Sequence, residues 1–132
     1  IIAGLSWGDA RLPNTIFRGT ECHALLDWET VSLAGGENDL GWMLFYDWFV
    51  TEAMGVDRLA GVPKREDSLQ RWSQLVGREP RAMRWHEIAA LWRFSLLRDR
   101  SLHLAGIDSA PFMASGDPLM VRFQHLMAQP AD

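Results

Sequence analysis

Near the start of the sequence, Asp9 and Asn14 stand five residues apart in Gly8-Asp9-Ala10-Arg11-Leu12-Pro13-Asn14, and Asp27 follows in Leu26-Asp27-Trp28-Glu29. Singly, each has a bland reading, since a carboxylate after glycine is an ordinary turn residue. Together they supply the parts that phosphoryl transfer to a hydroxyl requires: an acid beside the attacking oxygen, and an amide and a second acid on the magnesium that holds the phosphates of a nucleotide. Magnesium prefers oxygen ligands of this kind. Arg11, two residues after Asp9, could balance charge on the group in transfer. A solvated loop arginine is its equal alternative.

The elements that must position these side chains are short at first and helical later. Ile1 to Leu5 is an apolar run that suits a buried strand delivering the Asp9 loop. Thr15-Ile16-Phe17 and Cys22 to Leu26 are β-favouring, and the glycine in Arg18-Gly19-Thr20-Glu21 favours a hairpin between them. Its second strand runs into Asp27. Gly35-Gly36 breaks the chain, and Asn38 or Asp39 could cap a helix from Leu40 to about Ala53 whose aromatic and aliphatic residues cover nearly the whole circumference. That pattern predicts a central core helix. A second helix is expected from Lys64 to Val76 with Gly77 as its cap. A third runs from about Ala82 to Leu104, with Trp85, Ile88, Ala89, Trp92 and Leu96 as its apolar stripe, and a fourth runs from Leu119 to about Ala128 behind Asp117-Pro118. Ala105 to Gly116 reads as loop.

The fold class expected is therefore α+β, one domain of 132 residues with a strand and hairpin unit over 1–34 and a helical part over 35–132. A hydrophobic content of 48% is ordinary for such a domain. A net charge of -4 with no dense basic run argues against nucleic acid as a partner. The most apolar run, Leu40 to Val50, is too short for a membrane span and contains Asp47. Cys22 is the only cysteine, which rules out an internal disulfide and makes the cytoplasm the default expectation. The four histidines lack zinc-ligand spacing. Of the seven tryptophans, Trp42, Trp48, Trp72, Trp85 and Trp92 fall on helical stripes and read as core, while Trp28 could wall a pocket.

The run Trp7-Gly8-Asp9-Ala10-Arg11-Leu12-Pro13-Asn14-Thr15-Ile16-Phe17, then Leu25-Leu26-Asp27-Trp28-Glu29 and Gly36-Glu37-Asn38-Asp39-Leu40-Gly41-Trp42, resembles the C-terminal lobe of the aminoglycoside phosphotransferase family, which has a protein-kinase-like fold. The resemblance covers roughly Ile1 to Phe49. It implies that Asp9 is the catalytic aspartate, that Asn14 and Asp27 hold Mg²⁺ on the phosphates of ATP or GTP, and that Asp39 is structural, at the start of a core helix. Trp7 stands where the family's general pattern has histidine, a variant similar to the kinase-like domains associated with acyl-CoA dehydrogenases. The implied reaction moves the γ-phosphoryl group to a hydroxyl of a small molecule. A non-catalytic, kinase-like scaffold domain is the alternative.

A family member also needs an N-terminal lobe with a glycine-rich loop and a phosphate-binding lysine. No such loop is present, and Lys64, the only lysine against twelve arginines, follows the catalytic motifs. The chain thus reads as the catalytic-loop half of a phosphotransferase, inactive alone. Its expected partners are the missing N-terminal lobe, a small hydroxyl substrate and, through apolar surface, other copies of itself. Thr51 to Pro63 and Ala105 to Gly116 are the segments expected to select the acceptor, and the scattered Glu52, Asp57, Asp108 and Asp117 make no acidic pocket for a polycation.

Overall fold

The computed structural model describes residues 3–113 and 116–130. Its architecture is α+β: an antiparallel hairpin, β1 (Thr15–Arg18) and β2 (Glu21–Leu25), beside four helices, α1 (Gly36–Trp48), α2 (Arg65–Val76), α3 (Met83–Leu104) and α4 (Pro118–Ala128). Single helical turns occupy Leu12–Asn14 and Ala110–Met113, the latter inside the segment expected to be loop. No described helix is long and apolar enough to cross a membrane.

The hairpin closes over Gly19-Thr20, where Gly19 takes a φ of 61° that a tight turn demands. Thr15 pairs with Leu25, and the Leu26 amide donates to the Asn14 carbonyl at 2.8 Å. Asn14 and the residues after Leu25 therefore share the open end of the hairpin. The strand expected over Ile1 to Leu5 is not regular. Ile1 and Ile2 lie outside the described residues, and the rest makes only single bridges, Gly4 to Ala34 and Ser6 to Ser32. A segment pinned by isolated bridges has no ladder to extend.

α1 is the core helix. Trp42 and Phe45 are buried against Ala90 and Leu91 of α3 and Leu119 of α4, with Phe94 and Phe123 packed around them. Leu40 and Leu44 join Met83, Leu69 and Trp72 in a second cluster. Full burial of each such side chain stabilises by roughly 1.5–3 kcal/mol. The helix starts earlier than the sequence predicts. Gly35, not Asn38 or Asp39, is its N-cap, because both polar side chains turn to the Ser6-Trp7-Gly8 segment instead. At its other end the turn widens into a π-helical segment over Phe49–Ala53.

α3 has the expected limits but the opposite orientation. Its buried face is Met83, His86, Glu87, Ala90 and Leu91. Trp85, Trp92 and Leu96 of the expected stripe are 53%, 65% and 55% exposed while its Ile88 and Ala89 are half-buried, so these two tryptophans are not core. Two contacts select the face. Gly41 sits so close to α3 that an added Cβ would lie 2.7 Å from the His86 Cβ. Glu87, almost wholly buried, accepts from Arg65 of α2 at 2.6 Å and from Arg122 of α4 at 3.3 Å. A buried carboxylate holds such a place only when paired.

Candidate functional site

The Asp9 loop is shaped from behind by Asp39. Its Oδ1 accepts from the Ser6 hydroxyl at 3.0 Å and the Gly8 amide at 2.7 Å, and its Oδ2 accepts from the Trp7 amide at 2.7 Å. Three consecutive residues are thereby fixed on the first turn of α1, a structural role. Gly8 has a φ of 90°, and a Cβ there would lie 2.3 Å from the Thr30 carbonyl oxygen. Arg93 of α3 donates to the Gly8 carbonyl and, at 3.3 Å, to the Thr30 hydroxyl, while its guanidinium lies 4.3 Å from the centre of the Trp42 indole. The loop is held by α1 on one side and α3 on the other.

Asp9 emerges from this clamp with its carboxylate oriented by three donors. Oδ2 accepts from Asn14 Nδ2 at 2.6 Å and Arg11 Nε at 2.9 Å, and Oδ1 accepts from Trp42 Nε1 at 2.8 Å. A carboxylate offers about four acceptor positions, so Oδ1 keeps one for another group. Arg11 is no solvated loop residue: besides Asp9 it reaches the Tyr46 hydroxyl at 3.4 Å. Burial disfavours its charge, but its hydrogen bonds to Asp9 and Tyr46 outweigh that and raise its pKa above the ordinary value.

Asp27 is exposed, and its carboxylate has no hydrogen-bond partner among the described residues. Its φ of 63° is left-handed, a conformation aspartate tolerates at some cost. Asp9, Arg11 and Asp27 line one cleft of about 530 Å³ together with Glu29, Tyr46 and Arg93. Asn14 does not line it; it is buried and bonded to Asp9. Of the four residues singled out in the sequence, Asp9, Arg11 and Asp27 share the cleft and Asn14 joins them through Asp9. Trp28 is not part of the wall; it packs against Trp7 at 6.0 Å between ring centres and lines neither of the two clefts described here.

The donor set can be tested against a magnesium ion. The amide nitrogen of Asn14 is bonded to Asp9, which leaves its oxygen as the acceptor, and the Asn14–Leu26 backbone bond puts Asn14 and Asp27 at the same end of the hairpin. Two oxygen donors suit magnesium, which usually takes one or two protein ligands and completes its shell with water and phosphate. Among the described residues, no group of three or more His, Cys, Asp or Glu could hold a metal.

Two participants were not legible as such. Trp42 reads as core, yet its N–H fixes the Asp9 carboxylate; a buried indole needs an acceptor, which is the one signal that pointed there. Arg93 is one of twelve arginines and nothing in its spacing distinguishes it. No family model matches the sequence.

Proposed function

We propose that this chain is the catalytic-loop half of a magnesium-dependent phosphotransferase that moves the γ-phosphoryl group of ATP or GTP to a hydroxyl of a small molecule. The observation that carries this reading is the Asp9 carboxylate, held by Asn14, Arg11 and Trp42 at a cleft that Asp27 also lines. In the proposed step the acceptor oxygen bonds to the γ-phosphorus, the bond from that phosphorus to the β–γ bridging oxygen breaks, and the hydroxyl proton passes to Asp9 Oδ1. A base so placed contributes roughly 10²–10⁴-fold. Arg11 and Arg93 offer cations to the phosphoryl oxygens. Asn14 and Asp27 would hold magnesium, whose charge neutralises that of the phosphates.

This reading calls for a glycine-rich loop and a lysine over the phosphates, and the sequence has neither motif. The 132 residues by themselves are therefore proposed to bind Mg²⁺-ATP poorly. A screen of hydroxyl compounds with Mg²⁺-ATP, run on the longest natural form of the chain with Asp9→Ala as control, tests the assignment. Product that persists in the Asp9→Ala variant would overturn it. A non-catalytic kinase-like domain is the second reading, favoured by the three donors already on Asp9. Mg²⁺-dependent NMR shifts at Asn14 and Asp27 support the first reading, and their absence the second.

A further inference from the structure

A second cleft, of about 630 Å³, shares Arg11 and Tyr46 with the first but is lined by none of Asp9, Asn14 and Asp27. It is therefore a separate site, and its volume lies in the usual range for small-molecule pockets. Met43 and Leu44 of α1, Val50 of the π-helical segment, and Val56, Leu59 and Val62 of the loop that follows give it a mainly aliphatic lining. That loop is fastened in three places: Val56 N–H donates to the Val50 carbonyl at 3.1 Å, Val62 N–H to the Leu59 carbonyl at 3.1 Å, and Arg58 binds both Asp47 and the Pro63 carbonyl. π-helical segments recur at functional sites. Here the segment leads into the loop that lines the cleft.

Charge restricts what fits. The charged residues of the lining are Arg11, Asp47, Asp57 and Arg58. Arg58 pairs with Asp47 at 2.5 Å, and Arg11 pairs with Asp9 at 2.9 Å. Asp57 is exposed and has no ion-pair or hydrogen-bond partner among the described residues. The charge left over is thus one carboxylate at the edge of an aliphatic cleft. An anion would be repelled by it, and a polycation would bring charges with no carboxylate to meet them. We propose that this cleft binds a small amphipathic monocation, an ammonium group on an aliphatic body, with the body against the valines and Met43 and the ammonium at Asp57. The aliphatic body supplies most of the affinity, because burial of apolar area is worth more than an ion pair at an exposed carboxylate. Asp57 supplies the preference for a cation. The proposal holds whether or not Asp9 serves phosphoryl transfer.

The test follows methyl and amide NMR signals of the chain during titration with butylammonium, hexylammonium and octylammonium near neutral pH, with 1-hexanol and hexanoate as the neutral and anionic counterparts. Saturable shifts are expected at Val50, Val56 and Val62, with affinity rising about fourfold per added methylene. Hexylammonium should bind about threefold tighter than 1-hexanol, and hexanoate more weakly than both. Asp57→Asn, at an exposed residue with no partner to lose, should erase the advantage of hexylammonium and leave 1-hexanol unchanged. Leu59→Ser, at a residue 68% exposed and so safe for folding, should weaken hexylammonium and 1-hexanol alike, by roughly fivefold. Trp92→Ser, on the outward face of α3, should change neither. Silence at the three valines, hexanoate binding as tightly as hexylammonium, a cation preference that survives Asp57→Asn, or loss of binding in Trp92→Ser would each overturn the proposal.

Discussion

In the N-terminal half of α1, Glu37, Asp39 and Trp42 each bind a partner far away in sequence: Arg78, the Ser6-Trp7-Gly8 segment and Asp9. In the C-terminal half, Asp47 binds Arg58 only eleven residues on, while Met43 and Leu44 line a second, largely apolar cleft together with Val50 of the π-helical segment. One end of the helix carries polar anchors, of which Asp39 and Trp42 hold the Asp9 loop, and the other is a surface over which a local loop folds. Long-range charge-assisted hydrogen bonds to partly buried acceptors are the costly ones to lose, most of all where the donors left behind are dry, as at Ser6, Trp7, Gly8 and Trp42. Local pairs near the surface are exchanged for water with little penalty.

That contrast can be broken most sharply at Asp39. Asp39→Ala removes the acceptor of three donors and should destabilise by ~3 kcal/mol, read as a lowered midpoint in denaturant with unchanged slope. An unfolding midpoint like that of the parent would mean that the loop is held without its anchor. Glu37→Gln comes next, at roughly 2 kcal/mol near neutral pH. Its hydrogen bond from Arg78 holds the Glu37 carboxyl below the ordinary value of 4.5, against burial, which pushes it up. With the folded-state pKa depressed, the stability it contributes is present above 4.5 and is lost as pH falls through the lower folded value. The gap between parent and Glu37→Gln in thermal unfolding should therefore narrow in acid; a gap that widens there would refute the sign.

Smaller effects sharpen the other side. Trp42→Phe keeps most of the packing but deletes the N–H on Asp9, at about 1 kcal/mol, and should alter the Asp9 carboxylate signal by NMR more than any other change at the helix. Arg58→Ala should cost less than about 1 kcal/mol, with proteolysis of the Val56–Val62 loop as the sensitive readout. Trp92→Ser, on the outward face of α3, should lie within about 0.5 kcal/mol of the parent. A large loss there would return that tryptophan to the core.

The α3 helix shows how far sequence patterning reaches. Its length and both ends follow from the apolar periodicity, the break at Pro80 and the loop-like run from Ala105, but the period fits two faces. Trp85, Trp92 and Leu96 make one, and Met83, Ala90, Leu91 and Phe94 the other. Which one is buried depends on Gly41 admitting His86 and on two arginines reaching Glu87, and these contacts join residues from separate helices. The tryptophans Trp85 and Trp92 are left exposed on that outward face.

The sequence by itself determined the α+β content, the hairpin and its turn, the four helices, and the four side chains of the candidate site, because each depends on local spacing or local turn chemistry. Asp9, Asn14 and Asp27 could be read because a loop, a two-residue turn and a short strand fix their separation within a few residues. Only the tertiary structure decided the orientation of α3, the capture of Asp39 by the loop rather than by its own helix end, the roles of Trp42 and Arg93, and the apolar cleft behind Arg11. Those features are sums over contacts between distant segments, where several pairings have similar local energies and the packing of the whole selects one.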